Sequence, residues 1–212
     1  MSWPGRGHFI RLQASGGGAA FCGDNPSPEK ISSPFFKSDY MSSYLIRPAT
    51  QRDAKAVSDI QARSRLAAYQ GLVPDEHINA VSTIERQAFW RDAIEYSEPQ
   101  VVVALDGDKL IGFVGFDRSR DKGTKPTVGE IWDIYVLPDY WGKGVGLALW
   151  DAAREGLQEE GCTQVTIWVP MANERAVRFH ELAGFKREMS SLKTVPMGGV
   201  KVEEVRLKRA LV

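Results

Sequence analysis

The chain has 212 residues, 43% hydrophobic and 25% charged, ordinary proportions for a globular protein with a core of its own. Lysine plus arginine equals aspartate plus glutamate at 27 each, which excludes binding to nucleic acid or anionic membrane driven by overall charge. No apolar run approaches the ~20 residues of a transmembrane helix. The two cysteines, Cys22 and Cys162, and the three histidines, His8, His77 and His180, lie too far apart to give a metal-ligand spacing. A reduced cytoplasmic protein without a metal is the expectation.

Residues 1 to 40 differ from the rest. Their stretch SGGGAAFCGDNPSPEKISSPFF is rich in Gly, Ser and Pro and carries neither helix nor strand period. A disordered leader or upstream extension is expected there, with Met41 as a start and one folded domain over residues 41 to 212. A transit peptide is the alternative, with Arg6 and Arg11 in its favour and Asp24 and Glu29 against it.

From Tyr44 the pattern is regular. YLIRPAT reads as a first strand, and Thr50 with Asp53 as the cap of a helix whose apolar face runs through Ala54, Val57, Ile60 and Ala67 to about Tyr69. Gln70 to Pro74 breaks it, and Pro74 suits the first turn of a short second helix. Thr83 and Gln87 open a third, containing Ala88, Phe89, Trp90 and Ile94. After Pro99 the period becomes two: QVVVAL and LIGFVGF flank Asp106-Gly107-Asp108-Lys109 as a hairpin, and VGEIWDIYVLP follows as another strand. Gly144 to Glu160 is a helix stopped by Gly161. TQVTIWVP is a strand, Asn173 to Leu182 a helix ended at Gly184, and VKVEEVRLKRAL the last strand. The order predicts an α/β (α+β) chain whose mixed sheet carries helices on its faces.

Between the third of the grouped strands and the long helix stands WGKGVGLALW, with glycine at 142, 144 and 146. Glycines entering a helix suit a phosphate, since the backbone approaches the anion and the first helical N–H groups lack partners. A P-loop requires G-x-x-x-x-G-K-[ST], but Lys143 is followed by Gly144; a dinucleotide fingerprint requires G-x-G-x-x-G, but the sixth position from Gly142 is Leu147. Both fail, leaving a plain connecting turn or another phosphate-bearing ligand.

Two motifs choose between these. YVLPDYWGKGVGLAL resembles the strand, V-x-P and [QR]-x-x-G-x-[GA] helix opening of the GCN5-related N-acetyltransferase (GNAT) superfamily, and NERAVRFHELAGF resembles its second motif. AAYQGLVPDEHI is similar to the A-Y-x-G-L-x-P-D-E segment of one bacterial branch. The resemblance implies a GNAT-like fold, a central mixed, mostly antiparallel sheet flanked by helices. It implies acetyl-CoA as donor, with its pyrophosphate on Trp141, Gly142, Lys143, Gly144, Val145, Gly146 and Leu147 and its pantetheine arm along Ile134, Tyr135 and Val136. Asn173 matches a motif residue that contacts the CoA arm, though it is also a good helix N-cap. Trp141 departs from the usual Gln or Arg, and His180 from the usual Tyr.

Acetyl transfer to an amine requires a base for the amine, donors for the oxyanion and a proton for the thiolate. Glu130 is the candidate base; Asp133 is second, on the opposite face of the strand unless a bulge intervenes. His180 is the candidate proton donor, as imidazolium or as neutral N–H, against a packing role. The resemblance further implies an acceptor pocket from Tyr69, Gly71, Leu72 and His77, with Trp132 as a wall and Asp75 and Glu76 as nearby carboxylates. Cys162 suits a structural role better than a nucleophilic one. The expected activity is acetyl transfer to a primary amine of a small molecule or peptide, in a protein that is monomeric or a homodimer and engages neither nucleic acid nor membrane. An acyl-CoA-binding sensor without chemistry is the competing reading.

Overall fold

The computed structural model describes residues 44–74, 78, 82–197 and 200–211. The leader expected over residues 1 to 40 lies outside them, as do Asp75, Glu76 and His77 and most of the short helix expected after Pro74. Among the described residues no helix is long and apolar enough to cross a membrane.

Strand β1 (Leu45–Pro48) leads into helix α1 (Ala54–Tyr69), then α2 (Thr83–Tyr96), β2 (Gln100–Asp106), β3 (Lys109–Arg118) and β4 (Val128–Val136). Helix α3 (Val145–Glu159), β5 (Gln164–Pro170), α4 (Glu174–Leu182), β6 (Lys186–Met197) and β7 (Val200–Ala210) complete the order. The strands form a seven-stranded sheet in the order β1-β2-β3-β4-β5-β7-β6. All neighbours are antiparallel except β4 and β5. The mixed sheet expected from the sequence is therefore present, with one strand more.

That strand is β6, which no alternating pattern in the sequence signals. KREMSSLKTVPM offers little apolar alternation because the strand pairs on one side only and is largely exposed. Two smaller expectations also change. The cap of α2 is Ser82, whose hydroxyl accepts from the Glu85 amide at 3.1 Å while Glu85 returns to the Ser82 amide, rather than Thr83 with Gln87. On α1 the buried face runs through Val57, Ile60, Gln61 and Ser64 to Tyr69, and Ala67 is exposed.

Apolar residues divide between the two faces of the sheet. On one, α3 and α4 cover Ile111, Val114, Phe116, Ile131, Val165, Ile167 and Leu207. Gly156 is what allows α3 so close, since a Cβ there would stand 2.7 Å from the Phe116 ring. On the other, α1 and α2 bury Val57, Ile60 and Trp90 against Val101, Val103 and Phe113. The Trp90 and Phe113 rings meet edge-on at 4.9 Å, an arrangement worth about 0.5–1.5 kcal/mol beyond the area buried.

Candidate active site

The parallel pair is short. β4 and β5 match only over Val128↔Gln164, Gly129↔Val165 and Glu130↔Thr166, although β4 continues to Val136 and β5 to Pro170. Beyond Glu130 the two strands part, and one edge of β4 opens. The Leu137 amide donates to the Ile111 carbonyl on β3, so Leu137 and Tyr135 direct their backbone groups at β3 while Val136 and Ile134 direct theirs into the opening. Of the three residues expected to line a pantetheine arm, Ile134 and Val136 thus fit by backbone, and Tyr135 does not. The Val136 carbonyl is already taken, by the Ser64 hydroxyl at 3.0 Å and the Trp141 indole N–H at 2.7 Å. Its amide and both backbone groups of Ile134 have no strand partner among the described residues.

The glycine turn closes one end of this opening. Gly142 has φ +74° and Gly144 φ +84°, left-handed conformations that glycine adopts without strain, and a Cβ on either would meet nothing within 4 Å. Gly144 caps α3, leaving the amides of Val145, Gly146 and Leu147 as the first-turn donors that have no partner within the helix. The Lys143 amide, by contrast, points back to the Tyr140 carbonyl at 3.4 Å, and its ammonium rests 5.3 Å from the Tyr140 ring centre. Open space, unpaired donors and the positive end of a helix dipole together fit a phosphate. The side chain of Leu147 is exposed, so what it offers here is its amide.

A bulge brings both carboxylates of β4 to one face. Gly115 pairs with Asp133 and Phe116 with Ile131, so Trp132 is the extra residue on β4. Asp133 and Glu130, opposite Gly115 and Asp117, consequently share the face that α1 covers, and the opposite-face expectation for Asp133 is corrected. Their surroundings differ. Glu130 is 2% exposed; its Oε1 accepts from Arg120 Nη2 at 2.5 Å and its Oε2 from the Arg120 amide at 2.9 Å. Arg120 in turn lies over the Trp132 ring, 3.9 Å from its centre. Asp133 accepts from the Gln61 side-chain amide at 3.4 Å, and burial pushes its pKa up to about 6.

Gln61 holds its amide in one sense because its Oε1 accepts from the buried Trp90 indole at 3.0 Å, leaving Nε2 to face Asp133. Around them, Arg65 lies 5.4 Å from the Tyr69 ring centre, and the hydroxyls of Tyr69 and Tyr135 are hydrogen-bonded. Burial raises the pKa of both phenols, so they are neutral donors. Tyr69 thus lies in one cluster with Arg65, Tyr135 and Asp133. Gly71 and Leu72 form the turn behind it, with Leu72 exposed, while Val73, Ile78 and Met197 pack under the tyrosine. Trp132 stands beside the site, its indole N–H buried without a hydrogen-bond partner among the described residues.

His180 sits in α4, 3% exposed, between the rings of Phe179 at 4.9 Å and Phe185 at 5.3 Å. Burial pushes its pKa down to about 4, so the ring is neutral at physiological pH and the imidazolium donor drops out. Its Nδ1 is buried with no partner among the described residues. Asn173 caps α4 through Oδ1, which accepts from the Ala176 amide at 3.1 Å. Cys162 is buried and its thiol is pushed up by that burial, in keeping with a structural role. Gln61 and Ser64 escaped the sequence reading because a polar residue on a helix carries no sign that it is buried.

Comparison with known proteins bears on this geometry. Residues 65–185 match the acetyltransferase (GNAT) family. A mycothiol acetyltransferase from Propionibacterium freudenreichii is 38% identical over 97 residues, 45% of this chain and 30% of that one, so the chain spans less than a third of that relative's length. The N-acetyltransferase YuaI of Bacillus subtilis is 26% identical over 165 residues, covering 76% of this chain and 90% of its own. Among solved structures, PaiA N-acetyltransferase from Thermoplasma acidophilum, in complex with coenzyme A, superposes with a TM-score of 0.65 at 19% identity over 79% of this chain and 98% of its own. Salmonella typhimurium yncA, solved with acetyl-CoA, gives 0.63 at 19% identity, covering 81% and 95% of the two chains. With the parted strands and the glycine turn in the matched region, this chain belongs to the acetyltransferase (GNAT) family.

Proposed function

We propose that the protein transfers the acetyl group of acetyl-CoA to a primary amine, of a small molecule or a peptide, by direct attack in a ternary complex in the cytoplasm. The observation that carries this reading is the opening between β4 and β5, ended by a turn whose amides at Gly142, Gly144, Val145 and Gly146 have no backbone partner among the described residues. The pyrophosphate of the donor would rest on that turn and the pantetheine amides on the backbone of Ile134 and Val136, as an added strand. The relatives named acetyltransferases, and the neighbours solved with coenzyme A and acetyl-CoA, support the same donor.

The amine nitrogen attacks the thioester carbon; the carbon–nitrogen bond forms, the carbon–sulfur bond breaks and the amine loses a proton. Asp133 takes that proton, its pKa of about 6 suiting a base at neutral pH. Glu130, with both oxygens engaged by Arg120, instead fixes Arg120 over Trp132 and so shapes the wall of the acceptor pocket. The Val136 or Ile134 amide donates to the oxyanion, and water protonates the thiolate, since His180 is neutral. Tyr69, Trp132 and Arg65 border the acceptor.

One observation favours a second reading, a non-catalytic acyl-CoA-binding module: the residue expected to protonate the thiolate is buried and uncharged. Release of free CoA thiol from acetyl-CoA, measured against a panel of small amines and peptide N-termini, separates the two. Amine-dependent release establishes the transferase; binding of acetyl-CoA without release on any amine establishes the module.

A further inference from the structure

Trp141 immediately precedes the glycine turn and brings no charge to it. Its indole N–H is tied to the Val136 carbonyl at 2.7 Å, so the ring has a fixed orientation at the mouth of the opening. The guanidinium of Arg175 lies over that ring, 3.9 Å from its centre. Arg175 comes from a different element, the first turn of α4, which follows its Asn173 cap. The two helices meet beside the turn: a Cβ on Gly146 in α3 would stand 3.2 Å from the Phe179 ring of α4.

Stability does not explain this placement. A cation in the first turn of a helix opposes the helix dipole, which favours an anion there. Among the described residues Arg175 has no carboxylate within ion-pair distance, and the side chain is exposed apart from its stacking. Stacking engages the face of a guanidinium and leaves its edge, with up to five N–H donors, pointing outward as a fork for phosphate oxygens. An aromatic ring beneath restricts the side chain without neutralising it.

We infer that Arg175, held on the Trp141 ring, is a phosphate-binding residue of the acyl-donor site, supplying from α4 the fixed positive charge that the glycine turn itself lacks. Lys143, the turn's own cation, is a mobile point charge resting on Tyr140. The inference rests on the acyl-CoA reading of the turn, and it assigns Arg175 either to the pyrophosphate or to the 3′-phosphate of CoA.

Calorimetric titration of the full chain with CoA and with 3′-dephospho-CoA tests it, using wild type, Arg175→Ala and Arg175→Met. The Met variant keeps an apolar stem on Trp141 and loses only the charge, so it guards against a change in packing. Both variants should bind CoA about tenfold more weakly at unchanged melting temperature. An equal loss for both ligands assigns the pyrophosphate; a loss confined to CoA assigns the 3′-phosphate. Both variants binding both ligands as wild type does would overturn the role of Arg175 and leave the donor site standing. A wild type that binds neither ligand would overturn the donor site and, with it, this inference.

Discussion

Asp133 and Glu130 stand on one strand and one face, yet their environments give them different chemistry. Glu130 is held by a guanidinium and an amide, whereas at Asp133 burial outweighs the opposing charges of Arg65 and Arg120 and the hydrogen bond from Gln61. A carboxyl whose folded pKa is raised to about 6 is stabilising while protonated. That contribution is full below its unfolded value of 3.8 and is lost as pH rises through about 6. Asp133→Asn should therefore be more stable than wild type at pH 8, by up to about 3 kcal/mol, and no more stable at pH 4. Urea midpoints at the two pH values check this, and equal midpoints at pH 8 would remove the strained carboxylate. His180 runs the other way. Its folded pKa of about 4 lies below the ordinary histidine value of 6.5, so its contribution is present above pH 6.5 and is lost as pH falls towards 4. His180→Phe keeps the ring contacts and removes that loss. It should gain about 2 kcal/mol on wild type between pH 7.5 and pH 5, read from thermal or urea unfolding.

At the scale of elements, the parts written by glycine, capping residues and strict alternation were legible in the sequence. The hairpin turns where Asp106 to Lys109 stand, α3 begins after Gly144, and Asn173 caps α4. The bulge at Trp132 was not legible, since VGEIWDIYV alternates well enough for a regular strand and the extra residue is set by the pairing with β3. That single residue puts Asp133 on the same face as Glu130. Nor was β6 legible, an edge strand whose exposed, mostly polar residues owe their extension to β7. The Arg175–Trp141 stack joins residues far apart in the chain and leaves no local pattern. The glycine turn carries its own test. Gly144→Ala places a Cβ at φ +84°, costing about 1–2 kcal/mol of stability, in the space assigned to the pyrophosphate. Its KM for acetyl-CoA should rise at least tenfold, a larger effect than on kcat at saturating donor. An unchanged KM would move the donor away from the turn.

In the molecule as a whole, function follows from how the sheet is paired. The sheet has seven strands, but β4 and β5 pair over three residues and then separate. The backbone groups left over are satisfied in part by Ser64 from α1 and Trp141 from the turn, and the remainder have no strand partner among the described residues. On the α3 side the opening ends at the glycine turn; on the α1 side lies Asp133, with Gln61, Arg65, Tyr69 and Tyr135. Donor and acceptor would thus approach a thioester from opposite sides of one sheet, which is what direct transfer in a ternary complex requires.

The most direct test of this account is the pH dependence of CoA-thiol release from acetyl-CoA with an accepted amine, for wild type, Asp133→Asn and Glu130→Gln. Wild-type kcat/KM should fall as pH drops through about 6, where Asp133 becomes protonated. Asp133→Asn should lose about a hundredfold or more in rate and that acid limb, while Glu130→Gln keeps the limb. An Asp133→Asn enzyme with wild-type rate and profile, beside a Glu130→Gln enzyme that is inactive though folded, would contradict it and return the base to Glu130.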